Sequence, residues 1–299
     1  MKGSDAANYR VADRDFKYYI FDWDDNILHM PTRIHLERRL PDGAWEPFAV
    51  STSVFAVIRN DTANYRPPGG DWENAFLEFR DAHTEKESHF LRDTKAALEA
   101  IVRGERRGGP SFQQFRKALV EGRLFAIVTA RGHRAQSIRA GVRYFIDRVL
   151  TAEEKQKMLR NLRGYLECYD PGHVLRTDDE VLENYLGLNR YHGVTSPEFK
   201  RALGERKSGP SAEAGKQFAI QDFVRHVVEI TRRAGGGKPI SVGFSDDDTR
   251  NLSAIAAYIR EELAREFPGV KFVVYDTSDP DVPRGRKVVV RGQLSLGLG

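Results

Sequence analysis

Apolar residues recur along this chain in two rhythms, and each predicts a different kind of element. Short apolar runs at 18–21, 123–129, 240–244 and 270–275 have the length and density of strands buried on both faces of a sheet. Segments 112–120, 137–150, 218–230 and 250–266 instead repeat apolar residues every three or four positions, as one face of a helix does. The triplet Gly235-Gly236-Gly237 stops the third of these helices. Strands alternating with helices predict an α/β fold with a Rossmann-like parallel sheet covered on both faces.

The intervals between these runs are long. Arg33 to Leu40 alternates polar and apolar, Pro41-Asp42-Gly43 turns the chain, and Trp45 to Val50 returns, which predicts a β-hairpin over 33–50. Ser53 to Arg59 fits a short helix or a strand, Tyr65 to Gly70 is a loop, and helical stretches follow at 72–80 and 91–103. The span 31–111 is therefore read as an α+β cap insertion after the first strand. A second insertion, 151–212, reads as mostly helical, with charged helices at 152–168 and 177–188 and a loop-heavy stretch over 170–212. The sheet core that remains is 16–30, 112–150 and 213–283. A leader precedes it at 1–15, and an edge strand and glycine-rich tail close the chain at 284–299.

Composition narrows the class. Hydrophobic residues at 40% and charged residues at 30% describe a soluble globular protein, and no apolar run reaches the length of a membrane span. Met1 to Arg14 is polar and lacks a signal-peptide core. Cys168 is the single cysteine, which excludes an intrachain disulfide or a cysteine zinc cluster and makes the cytoplasm the expected compartment. The formal charge of +4 is small. Positive residues nevertheless gather at Arg103, Arg106 and Arg107, and again at Arg284, Arg286 and Lys287. Such clusters suit phosphates or nucleic acid and are also common on solvated surfaces.

Three strand ends carry the candidate chemistry. The first run meets Asp22, Asp24 and Asp25; the second ends in Thr129, followed by Ala130-Arg131-Gly132; the third meets Asp246, Asp247 and Asp248. In a parallel sheet such ends open on one edge, so the pattern predicts a single cluster of carboxylates with one hydroxyl. Like charges at a buried strand end are costly without a cation beside them, which points to a metal-dependent site. Taken singly, each aspartate is also an ordinary turn or cap residue, and Thr129 an ordinary helix cap.

Taken together they resemble a known family. Asp22-Trp23-Asp24-Asp25-Asn26-Ile27-Leu28 resembles the first motif of the haloacid dehalogenase superfamily. Val128-Thr129 with Ala130-Arg131-Gly132 resembles its second motif, and the stretch from Phe244 to Asn251 its acidic fourth. The resemblance implies a Mg²⁺-dependent phosphohydrolase acting on a phosphate monoester through an aspartyl-phosphate. Asp22 would be the nucleophile, and Asp24 would protonate the leaving oxygen and then activate water. Asp22, the backbone carbonyl of Asp24 and Asp246 would hold Mg²⁺, with Asp247 as a further ligand or neighbour. Thr129, Ala130 and Arg131 would contact the phosphoryl oxygens. The family's lysine is assigned to Lys216, with Lys200 and Lys207 as alternatives. The expected substrate is a phosphorylated small molecule, a nucleotide or a phosphoprotein, with no membrane involved. Two readings compete: phosphoryl transfer to another acceptor, and a nucleic-acid-binding protein that is a polynucleotide end phosphatase or an inactive scaffold.

Three other signals are weaker. The stretch 209–217 echoes a phosphate-binding loop, but it has one residue too many between the glycines and no hydroxyl residue after the lysine. The eight histidines include no pair at metal-ligand spacing. His29 lies close enough to the first motif to meet substrate, and Asn251 fits either a helix start or a place behind the carboxylates.

Overall fold

The computed structural model describes residues 11–81, 87–204, 212–235, 237–279, 281–282 and 284–290. Lys207 with the rest of 205–211, most of the leader and the tail after Val290 lie outside the described residues.

Among the described residues nine strands form: β1 Phe16–Phe21, β2 Ile34–Arg39, β3 Trp45–Val50, β4 Tyr65–Arg66, β5 Phe125–Thr129, β6 Arg190–Gly193, β7 Ile240–Asp246, β8 Val270–Asp276 and β9 Arg286–Val290. Six of them make one sheet in the order β6-β5-β1-β7-β8-β9, parallel throughout except for β9, which pairs antiparallel with β8. The fold is thus α/β with a mostly parallel, Rossmann-like sheet.

Strand alternation sorts the core into two layers. Phe16, Tyr18 and Ile20 of β1 face one side. There they pack with Ile220, Phe223 and Val227 of α9 (Ala212–Arg233) and Ile255 of α10 (Thr249–Tyr258). Phe21 faces the other side, among Phe90, Phe115, Phe125 and Phe145. Trp23, just past the strand, is fully buried in that cluster, with ring centroids 5.4 Å from Phe90 and 5.9 Å from Phe115. Its neighbours Asp22 and Asp24 therefore point the opposite way, towards the edge of the sheet. The helix after β7 is longer than α10 alone, because a π-helical turn at Ile259–Leu263 carries it on to Glu266.

The two spans expected to be insertions are built differently. Residues 151–212 supply α6 (Ala152–Tyr169) and α7 (Asp178–Leu188) to the second layer, through Met158, Leu162, Leu182 and Tyr185. They also supply β6, the outer strand of the main sheet, so this span is part of the core rather than an added helical module. The signal for β6 is weak because Arg190-Tyr191-His192-Gly193 holds one large apolar residue. Its strand character comes from pairing with β5, from Ala126↔Arg190 to Thr129↔Gly193.

The span 31–111 divides in two. The expected hairpin is present as β2 and β3, with β4 added on the other side of β2. The ambiguous 53–59 stretch is α1 (Thr52–Ile58), capped where Ser51 Oγ accepts from the Val54 N–H. Ile34, Leu36, Val50 and Ala75 give this module its own small core. The long helix Ser88 caps, His89–Val102, instead packs on Ala135–Val149, and Phe90 and Leu98 join the main core.

Candidate functional site

The order β6-β5-β1-β7-β8-β9 runs outward in both directions from β1, which makes the boundary between β1 and β7 the topological switch point of the sheet. Asp22 and Asp246 flank it. Asp22 is the first residue beyond β1 and donates its N–H to the Ser245 carbonyl at 3.0 Å; Asp246 is the last residue of β7. Lys216, near the start of α9, reaches between them. Its Nζ donates to Asp22 Oδ1 at 2.8 Å and to Asp246 Oδ2 at 2.7 Å, and all three side chains are buried. Burial disfavours the Lys216 ammonium, but the two carboxylates outweigh it and raise its pKa above the usual lysine value. Lys200 lies exposed on the short helix Pro197–Ala202, so of the two described candidates it is Lys216 that meets the carboxylates.

Asp24 is held separately. Arg131 Nε donates to both of its carboxylate oxygens at 2.9 Å and Nη2 to Oδ1 at 2.6 Å, a forked pair. Thr129 Oγ1 donates to Asp24 Oδ2 at 3.0 Å. Burial alone would raise the Asp24 carboxyl, yet Arg131 and the Thr129 hydroxyl hold it below its ordinary value. Arg131 is itself buried, 2% exposed, and continues the network: its Nη2 donates to Thr32 Oγ1, which donates to Asp93 Oδ2 at 2.5 Å. The Phe79 ring covers the guanidinium at 4.6 Å. Arg131, expected at the substrate, is thus committed to Asp24 and Thr32, and only its Nη1 lacks a partner among the described residues. Ala130 is exposed, and its carbonyl accepts from Thr195 Oγ1 at 2.9 Å.

The loop that carries these groups is fastened by a residue whose role is not evident from the motif. Asn26 is fully buried; its Nδ2 donates to the Asp22 carbonyl at 3.0 Å and to the Ser245 carbonyl at 3.2 Å, and its Oδ1 accepts from Thr277 Oγ1 at 2.9 Å. Asp25 takes φ 54°, a left-handed conformation uncommon for a residue with a side chain, and so closes the turn between Asp24 and Asn26. Gly109 completes the fit, because a Cβ there would lie 2.5 Å from the Asn26 carbonyl oxygen. Ser245 Oγ accepts from Ser111 Oγ at 3.2 Å and from Asn26 Nδ2 at 3.1 Å, which ties the loop to β7. Ser111 and Thr277 belong to no recognisable motif, and Ser245 stands inside the acidic one without marking itself; their places follow only from the fold.

The remaining candidates sit at the rim. Asp247 is partly exposed, and burial together with Asp246 pushes its carboxyl up to about 7. Asp248 caps α10 by accepting from the Arg250 N–H at 2.8 Å. Asn251 Nδ2 lies 3.4 Å from Asp246 Oδ2, behind the carboxylate. His29 Nδ1 is 2.8 Å from Asp25 Oδ1, and this bond raises the imidazole pKa.

The charges do not balance. Among the described residues, Asp22, Asp246 and Asp247 face a single lysine, Lys216, while Asp24 is already matched by Arg131. Burial drives Asp22 well above its ordinary pKa, Lys216 opposes it, and Asp246 and Asp247 add to the rise. Among the described residues no three of these side chains converge as a preformed ligand cluster, since the lysine lies between two of them. The donor set fits a hard divalent cation all the same, because Mg²⁺ takes one or two carboxylates and keeps several waters. No family model matches the chain, and no curated protein or solved structure matches it either.

Proposed function

We propose that the chain is a Mg²⁺-dependent phosphohydrolase of the haloacid dehalogenase type, acting on a phosphate monoester. The observation that carries this reading is the placement of Asp22 at the switch point of the sheet, bonded by the same Lys216 that bonds Asp246. A carboxylate oxygen of Asp22 attacks phosphorus, and the phosphorus–oxygen bond to the alcohol breaks, leaving an aspartyl-phosphate. Water then attacks the phosphoryl group, releasing phosphate and restoring Asp22.

Lys216 holds the attacking carboxylate in place and offsets charge as the phosphoryl group arrives. Asp22, Asp246 and the backbone carbonyl of Asp24 would hold Mg²⁺, with Asp247 beside them. When bound, the ion supplies positive charge that lowers the Asp22 pKa and screens the incoming phosphate. Asp24 is set by Arg131 in its ionised form, which suits the base that takes the proton of the attacking water. To give a proton to the leaving oxygen, Asp24 first takes one from solvent water as the Arg131 pair loosens, and it regains a proton from the attacking water in the second step. Thr129 keeps Asp24 aligned. The β2–β3–β4 module stands in the place of a cap, tied to the Thr129 loop where Gly132 donates its N–H to the Phe79 carbonyl at 2.8 Å.

The test is hydrolysis of an aryl phosphate with Mg²⁺ and with EDTA, by the wild type and by Asp22→Asn. Phosphate release that needs Mg²⁺ and falls about a thousandfold or more in the variant is expected. Full activity in Asp22→Asn would remove the assigned nucleophile.

A further inference from the structure

Among the described residues, one face of the main sheet is only half covered. The helices from His89–Val102 to α7 lie over β6, β5 and β1, while on the same side β7 and β8 border a cleft of about 350 Å³. Register divides its floor into levels about 7 Å apart along the strands. Lys17, Ser241 and Lys271 are in register at one end, Tyr19, Gly243 and Val273 come next, and Ser245, Tyr275 and Lys287 follow. The half-buried Tyr19 and Tyr275 rings pack over Gly243, where a Cβ would lie 3.2 Å from Tyr275 and 3.6 Å from Tyr19, so the glycine lets both rings settle onto the sheet face.

The rim is cationic. Lys17 and Lys271 stand at one end, Lys117 on one flank, and Arg284 and Lys287 on the other, all exposed; no carboxylate lines the cleft among the described residues. Lys17 and Lys117 have exposed partners, Asp15 at 3.9 Å and Glu121 at 3.6 Å, in pairs of the kind that contribute little in water. Lys271, Arg284 and Lys287 make no ion pair with a described residue. At its upper end the cleft is sealed from the carboxylates where Ser111 Oγ donates to Ser245 Oγ at 3.2 Å and Asn26 covers both.

We propose that this face binds single-stranded nucleic acid, with a base laid against Tyr19 and Tyr275 and the backbone phosphates held by the lysine and arginine rim. Aromatic rings on an open sheet face stack bases without regard to sequence, and flanking cations follow the backbone. A duplex keeps its base faces in its own stack and cannot offer one to the tyrosines. A mononucleotide carries its phosphates at one end only, whereas this cleft has cations at one end and on both flanks, as a strand that crosses it requires. The inference rests on the cleft alone and stands whether or not the carboxylate site hydrolyses phosphate.

The experiment is fluorescence anisotropy of a labelled twelve-nucleotide single strand with the full chain in EDTA, from 50 to 200 mM salt. With five cations in contact, affinity is expected to fall about a hundredfold over that range. Lys17→Glu combined with Lys271→Glu, both exposed and free of the core, is expected to weaken binding at least about tenfold and to flatten the salt dependence. Tyr275→Ala is expected to lose about tenfold, and Tyr275→Phe to bind as wild type. Thermal melting of each variant shows that the fold is kept. Absence of binding at 50 mM salt overturns the proposal, as does binding that ignores the lysine reversals. Equal affinity for a mononucleotide, or preference for a duplex, overturns it as well.

Discussion

Arg131 decides what Asp24 can be. Its guanidinium is buried, forked onto the carboxylate and joined through Thr32 to Asp93. Removing it leaves a carboxylate in a buried network without its counter-charge, so Arg131→Met is expected to destabilise the protein by about 3–5 kcal/mol in urea unfolding. Arg131→Lys keeps the charge but not the fork, and should fall between the two. The sequence offered Arg131 as a substrate contact because it follows a strand that ends in Thr129. Nothing in Ala130-Arg131-Gly132 announces a bond to a residue 107 positions away; that depends on how β5 registers with β1. Asp22, Asp246 and Lys216 were easier to find, since each stands at a place fixed by its own element: a strand end, a strand end and a helix start.

At the scale of elements, the join between the β2–β3–β4 module and the core depends on a borrowed cap. The helix Ala135–Val149 begins at Arg134, whose side chain caps nothing. Asp81 supplies the missing acceptor: it takes the Arg134 N–H at 2.8 Å and the Ser137 hydroxyl at 2.9 Å, and also meets the buried His133 Nδ1 at 3.1 Å. A carboxylate at a helix N-terminus is favoured by the helix dipole as well as by these bonds. Burial pushes the Asp81 carboxyl up, but the bonds from His133 and the Arg134 N–H prevail and lower its pKa. Its contribution is therefore present above the ordinary value of 3.8 and is lost as pH falls below that through the folded value. Asp81→Ala is expected to cost about 1–2 kcal/mol at neutral pH and to flatten the acid limb of a stability–pH curve measured by urea unfolding. Apolar spacing within each segment predicted most helices and the hairpin. It missed β6, which has one large apolar residue, and it grouped His89–Val102 with the insertion because sequence order does not tell which layer a helix joins.

For the whole molecule, the alternation of strands and helices foretold a mostly parallel sheet with Asp22 and Asp246 at one edge. The open face over β7 and β8 was not legible, since it depends on how the helices are shared between the two sides. The same sharing puts the first strand of the chain at the centre of the sheet. β1 pairs with β5 and β7, and Lys216 meets Asp22 across 194 positions. Closing loops of that size before any contact rewards them makes folding slow, so refolding from urea is expected on the millisecond-to-second scale or longer in stopped-flow fluorescence. A chain ending at Lys238 lacks one neighbour of β1 and should show no cooperative unfolding transition. During synthesis, Phe16-Lys17-Tyr18-Tyr19-Ile20-Phe21 leaves the ribosome long before residues 240–246 exist to cover it. The growing polypeptide therefore carries a bare aromatic edge through most of its translation, and its yield in a cell depends on how well that edge is shielded until Asp246 emerges.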